Sequence, residues 1–114
     1  MAKALAGIRV IDFTVWFQGP VSAQYLADFG AEVIKVENPK GGDQGRGVRS
    51  MKSLAIGDWN QYFLVINRNK KSIAIDLKKA EGQEILYRMV EKSDVFLSNM
   101  SPALLAKMNL SYEQ

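Results

Sequence analysis

The chain alternates two kinds of residue pattern, and that alternation constrains its fold more than any other feature. Residues 8–13 (I-R-V-I-D-F) are short, β-branched and aromatic, and follow Gly7, which predicts a buried strand. Gly19-Pro20 then puts proline where a first helical turn tolerates it. Residues 21–29 supply an apolar stripe through Tyr25, Leu26 and Phe29 before Gly30 closes the helix. Residues 32–37 (E-V-I-K-V-E) alternate with period two, which completes a β-α-β unit.

The pattern repeats further along. Residues 38–58 show no regular period and read as a long loop, a kind of segment that in compact domains is usually functional or mobile. Trp59, Tyr62, Phe63 and Ile66 recur at helical spacing and predict a short helix over 59–67. Residues 72–77 read as a third strand, 80–91 as an amphipathic helix with Ile85, Leu86, Met89 and Val90 on one side, and 95–98 as a fourth strand. Ser101-Pro102 forms an N-cap and first helical residue, with Leu104, Leu105 and Met108 as the expected buried side of a last helix. Strands alternating with helices imply an α/β fold: a Rossmann-like parallel sheet with flanking helices and right-handed crossovers. Ligands of such sheets bind beyond the carboxyl ends of the strands, here residues 13–18, 37–40, 76–78 and 98–101.

Composition narrows the chemistry. The chain has no cysteine and no histidine, so thiolate or imidazole metal sites and imidazole or thiol catalysis are unavailable to it. No apolar run approaches the roughly 20 residues that span a bilayer, and a cytosolic protein with no membrane partner is expected. The net charge of +3 is unevenly placed. Residues 38–79 carry nine basic and three acidic groups, between flanks with three basic and four acidic, and three basic and five acidic. A basic middle between near-neutral flanks suits a bound polyanion of limited size better than nucleic acid, and no nucleic-acid module is visible.

Several motifs admit two readings. Residues 41–47 (G-G-D-Q-G-R-G) match neither G-x-G-x-x-G nor a Walker A loop; they form either a flexible surface turn or an anion clamp through Arg46 and Arg49. Arg68, Lys70, Lys71, Lys78 and Lys79 bracket the third strand, as a solvated face or as an anion site in which Lys78 follows the carboxyl end of the strand. Asp12 is better suited to a structural hydrogen bond with a neighbouring turn than to catalysis, and Asp76 sits among basic residues. Trp16, Phe17 and Trp59 read as core or packing surface rather than as a base-stacking platform.

Taken in order, L-A-G-I-R-V-I-D-F-T, Q-G-P, A-Q-Y-L-A-D-F-G-A-E-V-I-K-V-E, G-G-D-x-x-R-G, N-R-N-K-K-S-I-A-I-D-L-K and S-D-V-F-L-S-N strongly resemble the N-terminal segment of the family III CoA-transferases. This is the CaiB/BaiF group, which includes formyl-CoA transferase, carnitine CoA-transferase and α-methylacyl-CoA racemase. The resemblance runs from about Leu5 to the end of the chain. It implies the N-terminal part of a larger CoA-transferase domain, with coenzyme A or an acyl-CoA and a small carboxylic acid as substrates, in proteins whose subunits interlock as a dimer. By matching position, the residues near CoA would be Phe17 and Gln18, Asn38, then Ile75, Asp76, Leu77 and Lys78, then Asn99, Met100 and Ser101, with Lys107 beyond. All but Ile75 and Lys107 fall at the strand ends already chosen from the pattern.

Departures from the family are also visible. Asn38 stands where several relatives have arginine, Lys107 replaces a frequent arginine with a non-bidentate cation, and Phe17-Gln18 stands in place of Gln-Ala. Transferase members use an aspartate nucleophile and racemase members a histidine and an aspartate; all lie further along than this chain reaches. The resemblance therefore implies CoA binding without a catalytic residue in these 114 residues. A homodimer is expected, or completion by another chain that carries the nucleophile. The alternatives are a non-catalytic stand-alone CoA or nucleotide-binding module and a racemase-like fragment.

Overall fold

The computed structural model describes residues 3–47, 55–57 and 59–114. Four parallel strands form the main sheet: β1 (Arg9–Phe13), β2 (Glu32–Glu37), β5 (Lys71–Ala74) and β6 (Val95–Ser98), side by side in the order β5-β2-β1-β6. Chain order thus reverses between β1 and β6, the switch point at which open α/β sheets leave a crevice. Two short strands, β3 (Ala55–Ile56) and β4 (Trp59–Asn60), pair antiparallel apart from it.

The period-two alternation divides the core. On one face Val10 and Val33, register partners, pack with Ala23, Ala27 and Ala31. On the other, Ile11, Phe13, Val36 and Ile75 meet Leu86 of helix α3 (Ala80–Glu91) and Leu110 beyond helix α4 (Pro102–Lys107). Helix α1 (Gln18–Asp28) lies close to the sheet because its inner face is small. Gly19 is the tightest point: a Cβ there would stand 2.5 Å from Thr14 Cβ. Gly82 does the same for α3, where a Cβ would stand 2.1 Å from the Asp76 carbonyl oxygen.

The elements differ from the sequence pattern where tertiary packing outweighs local period. In α1 the large residues of the expected stripe, Tyr25 and Phe29, are exposed, and the alanines face the sheet. Leu104 of α4 is likewise exposed, while Leu105 and Met108 pack on the core. The third strand of the main sheet ends at Ala74 rather than Leu77. It is an edge strand whose partner β2 stops at Glu37, and the Ile75 N–H to Glu37 carbonyl bond (3.0 Å) is the last step of the ladder. Helix α2 (Gln61–Asn67) begins two residues later than the periodicity suggests, because the Asn60 side chain accepts from the Tyr62 N–H (2.8 Å) as an N-cap. The long loop contains a 3₁₀ turn at Gln44–Gly47 and the strand Ala55–Ile56.

Gly19→Ala is expected to destabilise the protein by about 1–3 kcal/mol in urea unfolding, since α1 must move away from Thr14. Gly47→Ala meets nothing within 4 Å and should stay within about 0.5 kcal/mol.

Candidate functional site

The carboxyl edge of the sheet is organised around charge that solvent hardly reaches. Asp12 on β1 and Lys35 on β2 are register partners whose side chains project to the α1 face, beyond Val10 and Val33. Asp43, from the glycine-rich loop, and Lys70, from the α2–β5 turn, join them; none of the four side chains is more than 2% exposed. Lys70 Nζ lies 2.8 Å from Asp12 Oδ2, and Lys35 Nζ lies 2.8 Å from Asp43 Oδ2 and 4.0 Å from Asp12 Oδ2. The Lys35–Asp43 contact is ionic rather than an aligned hydrogen bond. Two cations and two anions make the cluster neutral, which is what allows burial at this depth. Burial pushes the Lys70 ammonium down from its ordinary range, with Asp12 opposing.

The same four residues hold the β1–α1 turn. Asp12 Oδ1 accepts from the Thr14 N–H (3.1 Å) and hydroxyl (2.5 Å), and Lys35 Nζ donates to the Thr14 carbonyl (2.8 Å). Asp43 Oδ1 accepts from the Trp16 N–H (3.3 Å) and the Gly45 N–H (2.7 Å), and Lys70 Nζ donates to the Pro20 carbonyl (2.8 Å). Asn99, after β6, spans the switch point: its side-chain amide accepts from the Val15 N–H (3.0 Å) and donates to the Val15 carbonyl (2.8 Å). Trp16 itself has φ 70°, the left-handed region.

Beside this cluster Arg46 grips Glu37 through two bonds of 2.7 Å while its guanidinium lies 3.8 Å over the Phe63 ring. The Ser72 hydroxyl and the Asp43 N–H also donate to that carboxylate, at 2.7 and 2.9 Å. Burial acts to raise the Glu37 carboxyl, and these donors outweigh it and hold it at about 2.

The structure redistributes the cations read from the sequence. Arg68 bonds Asp28 (2.7 Å) and Lys71 reaches Glu32 (2.5 Å) in exposed pairs, while Lys70 is buried on Asp12, so three of the five have partners within the chain. Arg46 clamps a carboxylate of its own chain, and Arg49 lies outside the described residues. Lys78 and Lys79 are exposed. Asp12 serves the neighbouring turn, as its position suggested. Trp16 and Phe17 are about half exposed rather than core, and Phe17 contacts Tyr62 with ring centroids 5.7 Å apart.

Comparison with known proteins accords with this architecture. Residues 5–114 match the family model for CoA-transferase family III. The chain is 43% identical over 113 residues to the formyl-CoA:oxalate CoA-transferase of Afipia carboxidovorans and 42% over 114 residues to that of Bradyrhizobium diazoefficiens. It covers 99% and 100% of itself in these matches and 26% of each relative. Among solved structures, a CAIB/BAIF family protein from Brucella suis superposes with TM-score 0.88 at 34% identity, covering 99% of this chain and 30% of that one. The hypothetical protein Rv3272 of Mycobacterium tuberculosis gives 0.84 at 39%, covering 98% and 29%. The chain belongs to CoA-transferase family III. It spans about a quarter of the length of the curated relatives it matches and corresponds to their N-terminal part.

The positions singled out for this family III chain lie along one edge, in the order set by the strands. Asp76, Leu77 and Lys78 follow β5, Asn38 follows β2, Phe17 and Gln18 follow β1, and Asn99, Met100 and Ser101 follow β6. Their side chains are not equally available. Ile75 is a buried core residue, Leu77 packs against the same core, and the Ser101 hydroxyl caps α4 by accepting from the Leu104 N–H (3.3 Å). Asn38 accepts from the Lys40 N–H (2.8 Å) and Asp76 from the Lys78 N–H (3.2 Å). Gln18 and Lys78 are exposed, as is Lys107, the last residue of α4. A cavity of about 310 Å³ bounded by Arg9, Ile85, Arg88 and Lys92 lies at the opposite, amino edge. Lys35 and Asp43 were not legible as site residues. The available signal was a lysine in phase with Val33 on a strand whose other face is also apolar.

The Glu37 carboxyl is lowered from 4.5 unfolded to about 2 folded, so its contribution is complete above about pH 4.5 and disappears as pH falls through 2. Urea titrations should show roughly 3 kcal/mol less stability across that window. In Glu37→Gln this part of the pH dependence should vanish.

Proposed function

We propose that this chain is the CoA-binding N-terminal domain of a family III CoA-transferase and that the carboxyl edge of its sheet receives the CoA moiety. The observation that carries the reading is the convergence of four strand-end turns around a β1/β6 switch point in a chain of this family. Phe17, Gln18, Asn38, Asn99, Met100 and Ser101 form the rim, the backbone of Ile75, Asp76 and Leu77 contributes polar groups, and Lys78 and Lys107 supply cations for the phosphates. With Lys70 buried on Asp12, and Arg68 and Lys71 paired at or before the start of β5, Lys78 is the cation of the basic segment best placed to meet an anion at this edge.

The reaction is transfer of CoA between small carboxylic acids through an aspartyl intermediate. Formyl-CoA and oxalate in the relatives' names indicate the size class. The aspartate lies outside these residues, so these 114 residues bind without turnover; a further segment or chain supplies it, and the assembled protein is a cytoplasmic homodimer.

Calorimetric titration with CoA, 3′-dephospho-CoA and ATP at two salt concentrations tests this. Selective CoA binding is expected, weakened by about tenfold in Lys78→Ala, close to 1.4 kcal/mol. Equal weak binding of all three, or a Lys78→Ala affinity identical to the parent, would contradict it.

A further inference from the structure

Trp16 has a backbone conformation that a bulky residue adopts only when its surroundings impose it, at φ 70°. Burial of its own ring does not account for this, since Trp16 is 49% exposed. The restraint comes from outside the turn. Lys35 holds the Thr14 carbonyl, Asp43 the Trp16 N–H, Lys70 the Pro20 carbonyl and Asn99 both polar groups of Val15. Those side chains come from β2, the glycine-rich loop, the α2–β5 turn and the end of β6, so the turn is fixed to nearly every segment around it.

We propose that the buried quartet Asp12, Lys35, Asp43 and Lys70 is a positioning device that keeps the β1–α1 turn in its left-handed form and so presents Phe17 and Gln18 to the ligand. The proposal rests on the CoA reading above for the identity of the ligand only. None of the four touches CoA in this account; they are positioning residues. Asp12, Lys35 and Asp43 act on the turn itself, whereas Lys70 completes neutrality and ties down the first turn of α1 through the Pro20 carbonyl. Preorganisation of this kind matters because ordering a loop at the moment of binding subtracts from affinity.

The variant Lys35→Met/Asp43→Ala removes one positive and one negative charge together with the acceptor of the Trp16 N–H, and leaves the Asp12–Lys70 pair at 2.8 Å, so no charge is stranded in the interior. In ¹⁵N-labelled protein the Val10 and Val33 amides should keep their shifts and slow exchange. The Val15 and Trp16 amides should move and exchange about tenfold faster or more, and CoA affinity should fall by about tenfold or more. Arg9→Gln, which breaks an exposed pair with Glu32 at the other edge, should change neither those two amides nor CoA affinity. Unchanged Val15 and Trp16 amides in the double variant, unchanged CoA affinity beside altered amides, or an equal affinity loss in Arg9→Gln would overturn the proposal. If the unaltered protein binds no CoA, the reading under Proposed function fails and the amide comparison alone decides the positioning claim. If the double variant does not fold, exchange in the unaltered protein decides it: Val15 and Trp16 protected to the level of Val10 supports the device, and exchange at unstructured-peptide rates refutes it.

Discussion

A lysine and an aspartate from adjacent parallel strands, balanced by a second aspartate and a second lysine from two distant turns, hold the carboxyl edge of the sheet. Each charge is withdrawn from solvent, and each is tolerated only because the others are present. Removing a single member would strand a charge at a cost of about 3–5 kcal/mol, whereas removing an opposite pair leaves neutrality intact. The cluster is therefore weak evidence for stability and strong evidence for geometry. Its donors and acceptors are directed at the backbone of one turn.

From that point the rest of the edge follows. Asp43 carries the glycine-rich loop onto the sheet, and its N–H passes the connection to Glu37, which is in turn clamped by Arg46 and bonded by Ser72 of the neighbouring strand. Gly19 and Gly82 let the two helices that follow β1 and β5 approach their preceding turns more closely than any side chain would permit. Polar pairing and close backbone approach are thus concentrated at the carboxyl ends of the strands. The amino edge has exposed pairs, such as Arg9 with Glu32, and a cavity with an apolar floor.

Much of this was legible from local pattern. β1, β2 and β6 are short β-branched runs bounded by turn residues, and α3 has an unambiguous apolar side. The strand ends followed from parallel topology, and the individual candidate ligand positions from the family resemblance. What local pattern could not show was pairing at a distance. Arg68, Lys70 and Lys71 look like an anion site in sequence because their partners, Asp28, Asp12 and Glu32, lie 40, 58 and 39 residues away. The early end of β5 has the same origin: an edge strand extends only as far as its partner. In α1 the hydrophobic stripe misled, since close packing against a sheet selected Ala23 and Ala27 over Tyr25 and Phe29. Lys35, like Asp12, was a visible anomaly, a charge at an inward-facing position of a strand covered on both sides.

Whether CoA sits at the carboxyl edge is tested most directly by amide chemical-shift mapping during a CoA titration. Perturbations concentrated at residues 16–18, 38, 76–78 and 99–101, with Arg9, Arg88 and Lys92 unaffected, are the expected result. Perturbations centred on those amino-edge residues, or none at the switch point between β1 and β6, would contradict it.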